Sequence, residues 1–334
     1  MGGNALKNTE TRRAGPHKYL NVYNQVITRL SSEYPDLVHY LPRQHRSKPN
    51  HGDIDIFLRS DTVPNLGPGK IESLFNPNEI HSNGGVYSFD LWQFQVDLVK
   101  QNPENWKCAK VFYDQGGLGN FQGKIARRMR FKWGFQGLRY MAFYEDNRSV
   151  KLGEFVVSKN PREVFEFLGF DFDRFLQGFE TQEEMFGYVI ESDNFSIDAF
   201  LPENLTADQR HRDTKRQSYH DFMSYLEENA PDKRMERPSH EEAVEMAEEF
   251  FFDCGLCDKI NAAKEKYEKK QRANSIFNGN VLIDEFGITG RKLGEAIGRL
   301  KSKYDSDDEY RSHILEVGRE AMLDEFAEAN DLER

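Results

Sequence analysis

Asp53 and Asp55, in the run Gly52-Asp53-Ile54-Asp55-Ile56, are the residues whose type and spacing best suit chemistry. On a strand, side chains two apart project to one face. Both carboxylates would then stand together, with Cα atoms about 6.5–7 Å apart, while Ile54 and Ile56 turn into a core. Like charges this close disfavour each other's ionisation, and a divalent cation between them removes that cost. Magnesium suits hard carboxylate oxygens and keeps water and substrate phosphate in its shell. Two such ions about 3.5–4 Å apart clamp the attacking and leaving oxygens of a phosphoryl displacement. A third carboxylate, Asp97, lies in Phe94-Gln95-Val96-Asp97-Leu98-Val99, opposite the apolar face of Phe94, Val96 and Leu98. If the two strands pair, all three aspartates share one open face. Asp97 would then ligate the ion that activates an acceptor hydroxyl and help take its proton. A lone Asp-x-Asp on a half-exposed strand is more often a solvated edge. The preceding glycine, the alternating isoleucines and a third aspartate of matching polarity set this one apart.

The elements that must position these residues are read from periodicity. Residues 19–30 carry Leu20, Tyr23, Ile27 and Leu30 at helical spacing, with Val26 beside them. Residues 54–58 form a short apolar run. Pro64, Gly67, Pro68 and Gly69 mark a loop, and residues 70–75 open a short helix. Asn83-Gly84-Gly85 reads as a hairpin turn, and residues 87–99 alternate as a strand does. Residues 119–134 return to helical spacing; 139–144 and 154–157 are again strand-like. Asn160-Pro161 starts a helix that Gly169 stops. Beyond that, nearly everything reads as helix, including residues 241–252, a charged helix or linker at 261–272, and a final helix at 289–304.

Several further features carry a sharp and a bland reading. Lys124, Arg127, Arg128, Arg130, Lys132 and Arg139 form a basic run interleaved with Phe121, Phe131, Trp133 and Phe135. It suits triphosphate or a nucleic-acid backbone, with rings for stacking; it equally suits a solvated helix face with core aromatics. Gly116-Gly117-Leu118-Gly119 either brings amides close to a nucleotide or is a plain tight turn, and Tyr113 packs on a sugar or in a core. Cys254-Gly255-Leu256-Cys257 lacks the second pair that a four-ligand zinc site needs. Gly290, Gly294 and Gly298 share a helix face, which suggests close helix packing. Phe165, Phe167, Phe170, Phe172, Phe175 and Phe179 read as core.

The composition bounds these readings. The chain has 334 residues, 38% hydrophobic and 30% charged, with 13% aromatic residues including 26 Phe, which is a globular composition. No apolar run approaches the roughly 18–20 residues that span a bilayer, residues 1–18 lack the apolar stretch of a secretory signal, and three cysteines make no disulfide framework. A reduced, cytoplasmic protein without membrane partners is expected. A net charge of −11 argues against a broad duplex-binding surface, though a local basic groove is compatible with it.

The run Arg46-Ser47-Lys48-Pro49-Asn50-His51-Gly52-Asp53-Ile54-Asp55-Ile56-Phe57-Leu58 resembles the metal-binding strand of the polymerase-beta-like nucleotidyltransferase superfamily. Gln95-Val96-Asp97-Leu98-Val99 resembles its strand with the third carboxylate. The order and separation of these motifs are similar to those of X-family DNA polymerases. Val111-Phe112-Tyr113-Asp114-Gln115-Gly116-Gly117 is similar to the turn that holds the incoming nucleotide's sugar and base. Residues 123–135 resemble the helix after it, and 158–165 the next helix start. The resemblance spans about residues 40–170 and extends to nucleotidyltransferases of large phages. It departs at Pro42-Arg43, where the family has Gly-Ser at the head of a triphosphate-binding helix; Arg46, with Arg43 and Ser47, is the substitute. A shorter pattern, residues 277–294, resembles a helical element that follows the catalytic domain in CCA-adding enzymes and poly(A) polymerases.

The resemblance implies an α+β fold: a palm with a mixed sheet flanked by helices at residues 1–155, then a helical domain at 156–334. It implies attack of an acceptor hydroxyl on the α-phosphate of a nucleoside triphosphate, with Asp53, Asp55 and Asp97 as catalytic metal ligands for two Mg2+ ions, Mn2+ being an alternative. Arg46, Ser47, Tyr113, Gly116, Gly117, Lys124 and Arg127 would hold the nucleotide. An RNA 3′ end is the first candidate acceptor, then another nucleic acid, a small molecule or a protein hydroxyl. The rival reading is a non-catalytic nucleic-acid- or partner-binding protein on the same fold.

Overall fold

The computed structural model describes residues 5–144, 150–229, 232–252 and 254–333. By compactness the chain divides into one unit of residues 1–141 and 154–254 and a second of residues 142–153 and 255–334. Residues 154–254 therefore belong with the sheet, and the helical tail begins a hundred residues later than a division at 155 would place it. Residues 1–4 and 145–149 lie outside the described residues.

The first unit is built on a five-stranded mixed sheet of order β1-β2-β5-β4-β3. Its strands are β1 (His39–Tyr40), β2 (Asp53–Arg59), β3 (Ile80–Asn83), β4 (Val86–Leu91) and β5 (Phe94–Gln101). Strands β2 and β5 are parallel; the other pairs are antiparallel. One face is apolar. Ile54, Ile56, Leu58, Phe94, Val96 and Leu98 are all fully or almost fully buried, each such side chain contributing about 1.5–3 kcal/mol. Helix α1 (Pro16–Glu33) covers this face with Tyr19, Val22, Val26 and Leu30, and α2 (Pro68–Phe75) with Ile71 and Phe75. The buried stripe of α1 is rotated from the expected one: Leu20 is 51% exposed, and Tyr23 and Ile27 pack at its margin.

The strand-like stretch at 87–99 is two strands. Trp92 and Gln93 join β4 to β5, with φ of 53° and 59°. Such a two-residue turn needs positive φ at both positions and usually takes Asn or Gly, so neither residue announces it. Gly84 and Gly85 make the turn that was expected.

Helix α3 (Trp106–Phe112) follows the sheet, then α4 (Leu118–Arg128). Gly119 lets these helices meet, because a Cβ there would stand 2.1 Å from the Phe112 carbonyl oxygen. Helix α4 ends well before residue 134. Arg130 takes a φ of 75°, and the chain enters β6 (Phe131–Gly134), which with β7 (Gly137–Phe143) and β8 (Lys151–Ser158) forms a sheet of order β6-β7-β8. Helices α5 (Pro161–Phe167), α6 (Phe172–Gln177), α7 (Gln182–Ile190), α8 (Ala207–Asp213), α9 (Gln217–Asn229) and α10 (His240–Phe250) complete the unit. Asn160 caps α5 as expected, accepting a hydrogen bond from the Arg162 amide, and Phe165, Phe167, Phe170, Phe175 and Phe179 are core.

The second unit holds α11 (Leu256–Ile276), α12 (Gly279–Phe286), α13 (Gly290–Lys301) and α14 (Asp307–Ala329). Its core includes Ala273, Leu282, Leu300, Met322 and Phe326. Helix α13 is not the last; α14 follows, broken by Gly318 at φ 78°. The glycines of α13 do not serve close packing, since a Cβ at Gly290, Gly294 or Gly298 would meet nothing within 4 Å. No helix among the described residues is long and apolar enough to cross a membrane.

Candidate active site

The three aspartates lie on the face of the large sheet opposite its apolar core. In the parallel pairing of β2 with β5, Asp55 is the partner of Asp97, and Asp53 of Gln95. Parallel neighbours present register partners to the same side, with backbones about 4.8 Å apart. Strand β4 extends the rows: Ser88 is opposite Asp97, and Asp90 opposite Gln95. Asp90 is occupied elsewhere, accepting hydrogen bonds from the Asn78 and Glu79 amides and the Asn78 side chain.

The carboxylates act on one another electrostatically. The Asp55 carboxyl is pushed up to about 7 by desolvation, then by the charges of Asp53 and Asp97, against the opposing pull of Lys48. Its side chain is nevertheless open to solvent. Asp97 is buried, and desolvation raises its carboxyl too, opposed by hydrogen bonds from Ser88 and Gln95. Gln95 Nε2 lies 3.0 Å from each Asp97 oxygen, so Asp97 is held by its neighbours. Among the described residues, no three carboxylate, histidine or cysteine groups are gathered at one metal-binding point. The donor set itself fits a hard divalent cation: three carboxylates on one surface, mutually repelling, with one carboxyl raised to near neutrality.

Two side chains at this site carried no signal in the sequence. Lys48 lies close enough to feel both Asp53 and Asp55, and desolvation lowers its amine. Its Nζ donates to Gln44 Oε1 at 2.9 Å, and the same oxygen would stand 2.6 Å from a Cβ at Gly116. A single side chain thus links the lysine to the glycine loop. The phenol of Tyr19 also feels Asp55 and Asp53; its ring stacks on His51 at 3.9 Å. A basic residue five positions before a carboxylate pair is common enough that only the folded loop marks it.

The residues expected to hold a nucleotide divide into two groups. Tyr113 stands at the carboxylates: its phenol is raised by desolvation and by Asp55, and its ring lies 4.7 Å from Phe57 and 6.2 Å from Phe135. Gln115, Gly116 and Gly117 have φ of 57°, 64° and 130° and lead into α4. Two of these three residues are glycines, which take positive φ without strain; Gln115 is the residue held in the left-handed region.

The second group is engaged elsewhere. Arg46 pairs with Glu180 and donates to the Gln177 carbonyl; the Ser47 amide donates to the Glu180 carbonyl and its hydroxyl meets His45. Arg43 binds buried Asp114 through its amide and guanidinium, so it braces the turn and is not a free phosphate ligand. Lys124 is buried against Asp213, its Nζ 2.6 Å from the carboxylate, and lies over the Tyr219 ring. Arg127 has Arg212 as its charged neighbour. Among the described residues Cys254 and Cys257 form no disulfide; Cys254 Sγ donates to the Ala247 carbonyl and Cys257 Sγ accepts from Asn261.

No family model matches the chain, and no curated protein matches it. Among solved structures it is similar to polymerase beta of Leishmania infantum in a ternary gap complex, at 13% identity and a TM-score of 0.34, covering 41% of this chain and 54% of that one. It is similar to the same polymerase in a ternary P/T complex, at 13% identity and a TM-score of 0.33, covering 41% of this chain and 61% of the other. The chain thus spans between 54% and 61% of the length of the polymerase chains it matches.

Proposed function

We propose that this protein transfers a nucleotidyl group from a nucleoside triphosphate to an acceptor hydroxyl, with release of pyrophosphate. The observation that carries the reading is the placement of Asp53, Asp55 and Asp97 on one face of the β2–β5 pair, where the charges of Asp53 and Asp97 raise the Asp55 carboxyl. The motif resemblance around Asp53 and Asp97 supports it.

Asp53, Asp55 and Asp97 would hold divalent metal ions, whose chemistry is to neutralise the carboxylates, polarise the α-phosphate and acidify the acceptor hydroxyl. Asp97, on β5, accepts the acceptor's proton or orients its hydroxyl. Lys48 offers a positive charge beside Asp53 and Asp55 to the triphosphate oxygens. Tyr113, braced by Phe57, gives the nucleotide an aromatic wall. The loop at 115–117, linked to Lys48 through Gln44, would offer backbone amides to the nucleotide.

The rival, a binding protein without catalysis, is favoured by one observation: Arg43, Arg46 and Lys124 are tied to Asp114, Glu180 and Asp213. Incubation with labelled nucleoside triphosphates, magnesium and total RNA, beside an Asp53→Ala/Asp55→Ala variant, separates the two. Label transfer that the variant loses supports the transferase. Metal-independent RNA binding without transfer supports the rival.

A further inference from the structure

Residues 5–14 run ahead of α1 with no regular secondary structure beyond a single bridge, yet both ends are fastened next to the carboxylates. At one end Ala14 and His51, two residues before Asp53, exchange backbone hydrogen bonds of 2.9 and 2.8 Å. The Arg12 amide donates to the Gln93 carbonyl at 2.7 Å. At the other end the Ala5 amide donates to Gln95 Oε1 at 3.0 Å, and the next residue, Leu6, is buried. Between the two, Glu79 collects the Lys7 and Asn8 amides at 3.0 and 2.9 Å. Glu79 is itself placed by Asp90, which accepts from its amide at 3.0 Å and is the register partner of Gln95.

Gln95 carries this attachment to Asp97. Its side chain is buried, takes the Ala5 amide on Oε1, and turns Nε2 to both Asp97 oxygens at 3.0 Å. Neither contact survives a flip of the amide, because its carbonyl would then face a carboxylate and its hydrogens the Ala5 N–H. The Ala5 donor therefore fixes which end of Gln95 meets Asp97. A donor equidistant from two carboxylate oxygens lies between them, on the side where a cation held by both would lie. Its hydrogens carry partial positive charge, so they satisfy the carboxylate and oppose a cation at the same place.

We propose that residues 5–9 form an autoinhibitory strap that competes with a divalent metal ion for Asp97. Docked, the strap holds the Gln95 amide on the carboxylate. Released, it leaves the amide free to turn and Asp97 free to ligate. The inference rests on the reading of Asp97 as a metal ligand. The strap suits such a device because it is irregular, exposed at Lys7 and Asn8, and held by a few hydrogen bonds, so it opens without unfolding the sheet. The competition is reciprocal: the factor by which the docked strap weakens metal binding is the factor by which bound metal weakens docking.

Two measurements on the full chain test this: Mn2+ titration read by electron paramagnetic resonance, and hydrogen exchange of residues 5–14 read by mass spectrometry. Ala5→Pro removes the N–H that reaches Gln95. Glu79→Ala removes the acceptor of Lys7 and Asn8 and leaves Gln95 and Asp97 in place. Each is expected to bind Mn2+ about fivefold more tightly than the wild type, the scale of one net hydrogen bond. Ala5→Gly keeps the N–H and should bind as the wild type does. In the wild type, Mn2+ should speed exchange of residues 5–14; Asp97→Asn should abolish that acceleration, and Glu79→Ala should exchange fast with or without Mn2+. Unchanged far-ultraviolet circular dichroism verifies the fold of each variant. The strap alone is overturned if Mn2+ binding requires Asp97 but both strap variants bind no more tightly than the wild type, or if Mn2+ leaves wild-type exchange unchanged or slows it. If Asp97→Asn binds Mn2+ as well as the wild type does, the metal reading fails and the strap falls with it.

Discussion

Asp55 and Asp97 are register partners on adjacent parallel strands, and the Asp97 charge adds to the cost of ionising Asp55. The apolar face of the same strands is fully buried, so neither can slip its register by one residue without exposing isoleucines and burying charge. The repulsion is therefore fixed into the sheet, and its relief by a cation is the simplest use for it.

This gives the metal-free protein a pH dependence of defined sign. The Asp55 carboxyl has an ordinary value of 3.8 and sits at about 7 in the folded chain. Between those values the folded chain binds more protons than the unfolded one, so this group's contribution to stability falls as pH rises through the window. In EDTA, the melting temperature of Asp55→Asn relative to wild type should climb from pH 4 to pH 8. Millimolar magnesium should raise the wild-type melting temperature at the alkaline end and leave Asp55→Asn unmoved.

Lys48 should matter to the reaction more than Arg46 does. Replacement by Gln removes a charge facing Asp53 and Asp55, whereas Arg46 already has Glu180. Lys48→Gln is expected to raise KM for the triphosphate about tenfold, equivalent to about 1.4 kcal/mol. It should also move the acid limb of the pH–rate profile to higher pH, because the lysine no longer favours the ionised Asp55. Steady-state kinetics against pH measure both effects, and Arg46→Gln should leave the profile in place.

Lys124 should behave as a structural residue. Its pair with Asp213 is buried, with side chains 6% and 10% exposed. Removing one partner of a buried pair costs about 3–5 kcal/mol, while replacing both with apolar groups of similar size is close to neutral. Asp213→Ala should therefore lower the stability measured by urea unfolding by several kcal/mol, and Lys124→Met/Asp213→Leu should recover most of it.

Gly119 should tolerate nothing larger. A Cβ there would meet the Phe112 carbonyl oxygen at 2.1 Å, a backbone atom that cannot swing aside. Gly119→Ala is expected to cost about 1–3 kcal/mol through overpacking, read by thermal unfolding. It should disturb the 115–117 loop as well, raising KM for the triphosphate.

The sequence made legible what repeats with a period. Asp53, Asp55 and Asp97 alternate with buried apolar residues, and their common face followed from that alternation together with strand pairing. The glycine turn at 84–85 and the Asn160 cap were legible because their residue types are specific to those geometries. What escaped depended on partners distant in the chain. Lys124 reads as a phosphate ligand until Asp213, 89 residues later, is seen beside it. Lys48 drew no role of its own in the sequence; folding places it beside Asp53 and Asp55 and, through Gln44, beside the Gly116 loop. The turn at Trp92 and Gln93 uses residues that seldom take positive φ. Helix α14 lies in the stretch read as helical but its bounds were not legible, because Gly318 breaks its periodicity, and residues 154–254 joined the sheet unit through contacts that composition does not record.

The central claim is that Asp53, Asp55 and Asp97 together bind divalent metal. Electron paramagnetic resonance of Mn2+ titrated into the full chain, with a non-hydrolysable triphosphate analogue present, tests it most directly. The account predicts saturable loss of the free Mn2+ signal for the wild type, and a strongly weakened response for Asp55→Asn and for Asp97→Asn. Equal Mn2+ binding by wild type and both variants, or none by the wild type, would contradict it.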